Sequence, residues 1–150
     1  MIYLPEFIYG GMDGVITTFA IVSGVAGANL PLKVIVILGL ANVFADGFSM
    51  GVSNYLSEGA RESNNQLNTS LVTFFSFIIM GVIPVLPFML MKEKKKSYYT
   101  SYIITALLLF LIGTAKGNIK YGFESLLLGG SASLISYFIG KKLKDYHTDV

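Results

Sequence analysis

The chain has no cysteine and one histidine, His147, in its C-terminal tail. Disulfides and thiolate metal sites are therefore excluded, and one chain cannot build a zinc or copper site from Cys and His. Charge is also scarce. Asp, Glu, Lys and Arg make up 13% of the 150 residues, against about a quarter in a soluble domain. With 53% hydrophobic residues and a mean hydropathy of +0.65, too little polar surface remains to cover a soluble globule, and a membrane protein is expected. The net charge of +2 comes without the basic stripe that nucleic acid requires. No nucleophile–base pair or cofactor motif stands out, so neither enzyme activity nor a cofactor is expected. The opening MIYLPEF lacks the basic region of a signal peptide, and Asp13 interrupts the apolar run behind it. The first helix is therefore expected to belong to the mature protein.

What the chain does have is long apolar segments. A spanning helix needs about 20 mostly apolar residues, and such helices are expected at 6–28, 32–57, 67–91, 98–115 and 122–141. The links between them are short: Asn29-Leu30-Pro31, GARESNNQ, KEKKKS and KGNIKYG. The expected fold is all-α, one integral membrane bundle of five helices over residues 1–150, because helices satisfy their own backbone hydrogen bonds in lipid. Pro84 and Pro87 fall inside the third segment and are expected to kink it, as a tolerated bend or as a hinge. Small residues recur four apart at Gly10 and Gly14, Gly24 and Ala28, and Gly47 and Gly51, with Gly129 and Gly130 in the last helix. They let helix backbones approach closely and favour a dimer.

Two carboxylates stand in these apolar surroundings, Asp13 in GGMDGVITTFAIVSGVAG and Asp46 in LANVFADGFSMGVSNYLS. An Asp at the centre of a membrane helix costs roughly 2.5–3.5 kcal/mol on insertion scales. A neutral Asp bonded to a neighbouring helix would reduce that cost, and Asp13 is near enough to the helix start to reach an interface. Asp46 lies well inside its segment, and intramembrane acids of this kind mark ion or proton paths. The spacing gathers polar groups on one stripe per helix. Glu6, Asp13 and Thr17 share a face of the first helix; Asn42, Asp46, Met50 and Ser53 share one of the second, with Ser49 and Ser57 on the same side. Carboxylate, amide and hydroxyl oxygens suit divalent cations, and a thioether shifts the preference toward a transition metal. A lone methionine is more often packing; its register with Asp46 and Asn42 is what makes Met50 a candidate ligand.

These stretches resemble the vacuolar iron transporter family. The likeness lies in DGVITTFAIVSGVAGA (Asp13 to Ala28), ANVFADGFSMGVSNYLS, FFSFIIMGVIPVLPF, ALLLFLIGTAKG and SLLLGGSASLISYFIGKKL. They keep the family's order of five helices over nearly all of the chain. The resemblance implies a five-helix homodimer that exports ferrous iron, often manganese as well, from the cytosol in exchange for protons. By motif position Asp13 and Met50 match the family's membrane metal-path residues. Glu6 stands where an acidic residue often marks the path entrance. Asn42 occupies a position that is acidic in some members, and Asp46 belongs to the variant of the motif with A-D-G-x-S-M. The expected metal-path residues are thus Asp13, Met50, Asp46, Glu6 and Asn42, with divalent metal, protons and lipid as partners and iron or manganese as substrate, not cofactor.

Two departures qualify that expectation. Many members carry a glutamate-rich cytosolic metal-binding domain between helices two and three, whereas here the link is EGARESNNQL. Its Glu58 and Glu62 form an i, i+4 acidic pair, read as a solvated helix end in preference to a remnant of that domain. The family also places its N-terminus in the cytosol. That puts Arg61, Lys116 and Lys120 inside, and Lys33, Lys92, Lys94, Lys95, Lys96, Lys141, Lys142 and Lys144 outside. The positive-inside rule favours the reverse, so the two expectations oppose each other. With no organelle signal, a prokaryotic plasma membrane is the expected location. Two other functions compete: a proton-coupled exporter of organic cations, which would set aromatics beside the acid, and a membrane scaffold, in which the polar stripe would be fully bonded. Phe44 and Phe48 flank Asp46 in sequence but point off its stripe, which favours metal.

Overall fold

A computed structural model describes residues 3–148, apart from the side chains of 145, 147 and 148. The His147 side chain therefore lies outside the described residues. The regular structure is helical: α1 (Leu4–Gly27), α2 (Leu32–Ala60), α3 (Gln66–Val82), α4 (Leu86–Leu90), α5 (Lys94–Thr114) and α6 (Ile119–Thr148). Four of these (α1, α2, α5 and α6) are long and apolar enough to cross a membrane; α3 is a shorter apolar helix. Helices α5 and α6 extend into the lysine-rich segments that an apolar count leaves out. Lysine is a good helix former, so backbone bonding continues where hydropathy stops; the Ser97 amide, for instance, donates to the Glu93 carbonyl at 3.0 Å.

The ends of α1 and α2 are set by local chemistry. Asn29 (φ 54°) and Glu62 (φ 56°) take left-handed backbone just past each helix. The amide of Leu30 then reaches back to the Val25 carbonyl and that of Ser63 to Glu58, which closes orphan carbonyls of the last turn. Pro31 follows the first of these and starts the reversal into α2.

The segment expected as one helix over 67–91 is two. Pro84 and Pro87 each remove an amide donor. Between α3 and α4 the chain runs through three-residue turns, Val85 to Val82 and Phe88 to Val85, both at 2.9 Å. The carbonyl of Pro84, which a continuous helix would use internally, instead accepts from the buried Ser101 hydroxyl of α5 at 2.7 Å. The bend is thus pinned to a neighbour. Ser101→Ala should lower stability by about 1 kcal/mol, visible as a lower melting temperature in detergent with the helical content unchanged.

Helix α1 is the centre and packs against α2, α3, α5 and α6. In lipid there is little hydrophobic force between helices, so close fit and interhelical hydrogen bonds must hold them. A Cβ on Gly10 or Gly14 would collide with the α3 backbone at Thr73 or Phe77, and one on Gly27 would collide with Tyr137 of α6. Gly24 meets the Ser136 hydroxyl, and Gly47 and Gly51 face Phe77 and Phe74. The small-residue pairs are therefore used inside the protomer, which removes them as an argument for a dimer. Gly129 faces Leu109, while Gly130 has open space. Serine clamps join α1 to α6: Ser23 and Ser133 hydroxyls lie 2.6 Å apart, and Ser136 donates to the Ala20 carbonyl at 2.6 Å. Outward, Ile37, Phe44, Leu127 and Phe138 are exposed apolar side chains, as a lipid solvent allows.

Candidate functional site

Helices α1 and α2 run antiparallel, joined by a tight reversal, so the first turns of α1 lie beside the last turns of α2. An open groove of about 480 Å³ lies there, lined by Pro5, Glu6, Tyr9, Met50, Ser53, Asn54, Ser57, Glu58 and Arg61. Glu6 and Met50, separated by 44 positions in the sequence, are thus brought to one wall-to-wall site. Glu6 Oε2 and Asn54 Oδ1 are both buried and neither has a hydrogen-bond partner. Two bare oxygen acceptors and a thioether in one groove form a donor set for a cation. At the mouth, Arg61 pairs with Glu58 at 3.0 Å; Arg61 is 73% exposed and Glu58 only 16%. With the guanidinium open to solvent, the pair holds position more than it adds stability.

Asp13 and Asp46 lie further along the same two helices. Both are partly buried, and their carboxylates are close enough to interact electrostatically. Neither lines the groove itself. Asn42 is one turn beyond Asp46, and its side-chain nitrogen is buried without a partner. Thr17 donates its hydroxyl to the Asp13 carbonyl at 2.8 Å, so that donor serves the backbone. Ser57 lines the groove and Ser49 does not. Among the described residues, no three His, Cys, Asp or Glu side chains gather to hold a metal within one chain.

Five groove residues escaped the sequence reading as site members: Pro5, Tyr9, Asn54, Glu58 and Arg61. Asn54 was within reach, because it continues the four-residue recurrence Asn42, Asp46, Met50. Arg61 looked like a loop charge and Glu58 like a solvated end; both become visible only when α2 is seen to run to Ala60. Phe44 and Phe48 point outward, at 57% and 64% exposure, and Phe48 lines a separate apolar groove against α3. Neither of these two phenylalanines is buried beside Asp46.

Comparison with known proteins gives the chain a family. A sequence profile described as the VIT family matches residues 4–68 and 58–141, two pieces that overlap at the α2–α3 connection. A vacuolar iron transporter of Plasmodium berghei is 48% identical over 59 residues, 39% of this chain and 22% of that protein. One from Toxoplasma gondii is 42% identical over 60 residues, 40% of this chain and 20% of that protein. The chain thus spans about a fifth of the length of these curated relatives. Vacuolar iron transporter 1 of Arabidopsis thaliana is 20% identical over 210 aligned positions, covering 91% of this chain and 84% of the relative. Since 210 positions exceed the 150 residues present, that relative carries residues with no counterpart here. No solved structure matches the chain.

Proposed function

The chain belongs to the VIT family, and on that premise we propose that it carries divalent transition-metal ions, ferrous iron or manganese, out of the cytosol in exchange for protons. It is an integral, multi-pass membrane protein. The observation that carries the proposal is the groove in which Glu6, Met50 and Asn54 meet with two unpartnered oxygen acceptors. At the mouth, where Arg61 holds Glu58, Glu6 attracts the cation. Met50 and Asp13 receive it, and Asp46 and Asn42 extend the polar track inward. Metal binding needs deprotonated carboxylates, so metal and protons compete for the same groups. That competition is the chemical basis for exchange.

One protomer offers too few ligands, so two copies are proposed to complete the site along a shared axis. Exposed small residues support this: Ala41, Ala45, Ser49 and Ser53 recur every four residues on α2, beside the Asn42–Asp46–Met50–Asn54 stripe. A face of small residues lets a second backbone approach closely. With α3 and α4 read together as one bent crossing, each protomer crosses five times. The collecting role of the large cytosolic domain is absent from the short link, where two glutamates and one arginine remain. The scaffold alternative requires a satisfied stripe, and the bare atoms of Glu6, Asn42 and Asn54 oppose it.

Glu6→Gln tests the role of the mouth. The metal concentration for half-maximal flux into proteoliposomes should rise by about tenfold, the worth of ~1.4 kcal/mol, with the maximal rate little changed. An unchanged half-maximal concentration would remove Glu6 from the path.

A further inference from the structure

The end of the bundle away from the groove carries a different chemistry. There α1 ends, α2 and α5 begin and α6 closes, and Lys33, Lys92, Lys94, Lys95, Lys141 and Lys142 collect at one level. The Lys94 ammonium donates to Asn29 at 3.1 Å, which ties the start of α5 to the end of α1. Among the described side chains Glu93 is the acid at this level, paired with Lys96 at 2.8 Å, and the sequence adds Asp145 one turn past Lys141. The opposite end holds Glu6, Glu58 and Glu62.

Below this lysine level a cavity of about 280 Å³ opens between α1, α5 and α6, lined by Ser23, Tyr102, Ser133, Leu134 and Tyr137. Its wall is mainly apolar, with the hydroxyl-bearing side chains of Ser23, Ser133, Tyr102 and Tyr137 in it. The Ser23 and Ser133 hydroxyls in its wall lie 2.6 Å apart. Leu134 is 59% exposed, and Tyr102 and Tyr137 are each 38% exposed, so the cavity faces the surrounding lipid. Helical spacing then places a lysine above each wall. Lys95 and Tyr102 lie seven residues apart on α5; Ser133, Tyr137 and Lys141 lie four apart on α6. Residues at these spacings share a face. At 1.5 Å per residue, Lys141 is about 6 Å and Lys95 about 10 Å above the tyrosines along their helices. The order from the end inward is ammonium, then phenol, then leucine and serine hydroxyl at about one level.

We infer that this crevice is a binding site for an anionic phospholipid, with the headgroup phosphate at Lys95 and Lys141, the glycerol esters at Tyr102 and Tyr137, and an acyl chain along Leu134. Interfacial tyrosines sit at headgroup depth in membranes, and clustered lysines beside a spanning helix attract anionic lipid. The lysines supply charge selectivity. The phenols donate to ester oxygens, which phosphatidylcholine and phosphatidylglycerol share.

The test is native mass spectrometry of the delipidated full-length protein with added dioleoyl phosphatidylglycerol or dioleoyl phosphatidylcholine. Phosphatidylglycerol should bind at least about tenfold more tightly. Lys95→Gln with Lys141→Gln should abolish that preference, and Tyr102→Phe with Tyr137→Phe should weaken both lipids while keeping it. Lys116→Gln with Lys120→Gln, at the other end, should change nothing. Equal binding of the two lipids would overturn the site. So would an equal loss from the Lys116/Lys120 variant, which would mean diffuse charge, or full competition by millimolar inorganic phosphate, which would mean a phosphate site without a lipid. All the substitutions lie at surface-exposed positions, and a melting curve for each confirms that the fold is kept.

Discussion

Asp13→Asn is expected to reduce metal flux by about 100-fold or more, and Asp13→Asn with Asp46→Asn to abolish it, while both proteins still insert and fold. Removing one member of a desolvated charge pair costs about 2–5 kcal/mol, and a divalent ion passing a carboxylate is such a pair. An amide keeps the size of the side chain and loses its charge, so packing around α1 is undisturbed. Asp46 interacts electrostatically with Asp13; a divalent cation offsets both charges at once, whereas protons do so one at a time. The double variant should therefore lose proton movement along with metal movement. Flux at wild-type rates in either variant, measured in proteoliposomes with matched protein content, would contradict the assignment of these acids to the path.

Gly14→Val is expected to have the largest effect on the fold. A Cβ at Gly14 already collides with the carbonyl and backbone of Phe77, and backbone cannot turn aside as a side chain can. Overpacking a well-fitted interior costs about 1–3 kcal/mol, occasionally more, and a branched residue against backbone belongs at the upper end. Since α1 touches α2, α3, α5 and α6, moving it off α3 disturbs the whole bundle and the groove with it. Gly130→Ala is the control. Nothing lies within 4 Å of its Cβ, so that change should leave the melting temperature unchanged or raise it slightly, as alanine favours helix by up to about 1 kcal/mol. Equal losses in the two variants would mean that close α1–α3 contact is not what holds the helices.

Four of the five expected spans were legible because lipid imposes both a length and an apolar composition on a chain with 13% charge. The stripe Asn42, Asp46, Met50 was legible because helical periodicity is written directly in the spacing. The division of the third segment was only half visible: two prolines announce a bend, but that the Pro84 carbonyl is taken by Ser101, 17 residues on, depends on which helix packs there. The small residues were read correctly as close-contact positions, yet their partners are a property of the packed bundle, and Gly10, Gly14, Gly24 and Gly47 turn out to serve α1–α3, α1–α6 and α2–α3 contacts. Glu58 and Arg61 were hidden by hydropathy, which ends the second span at Ser57 although the helix continues to Ala60. Asn54 needed only one more step of the same count.

The most direct test of metal transport is simultaneous recording of metal and pH in proteoliposomes loaded with ferrous iron or manganese on one side. Metal movement with opposite proton movement, lost in Asp13→Asn, is the expected result. No flux of either metal through well-folded protein would contradict the account and leave the family relationship as one of fold without transport.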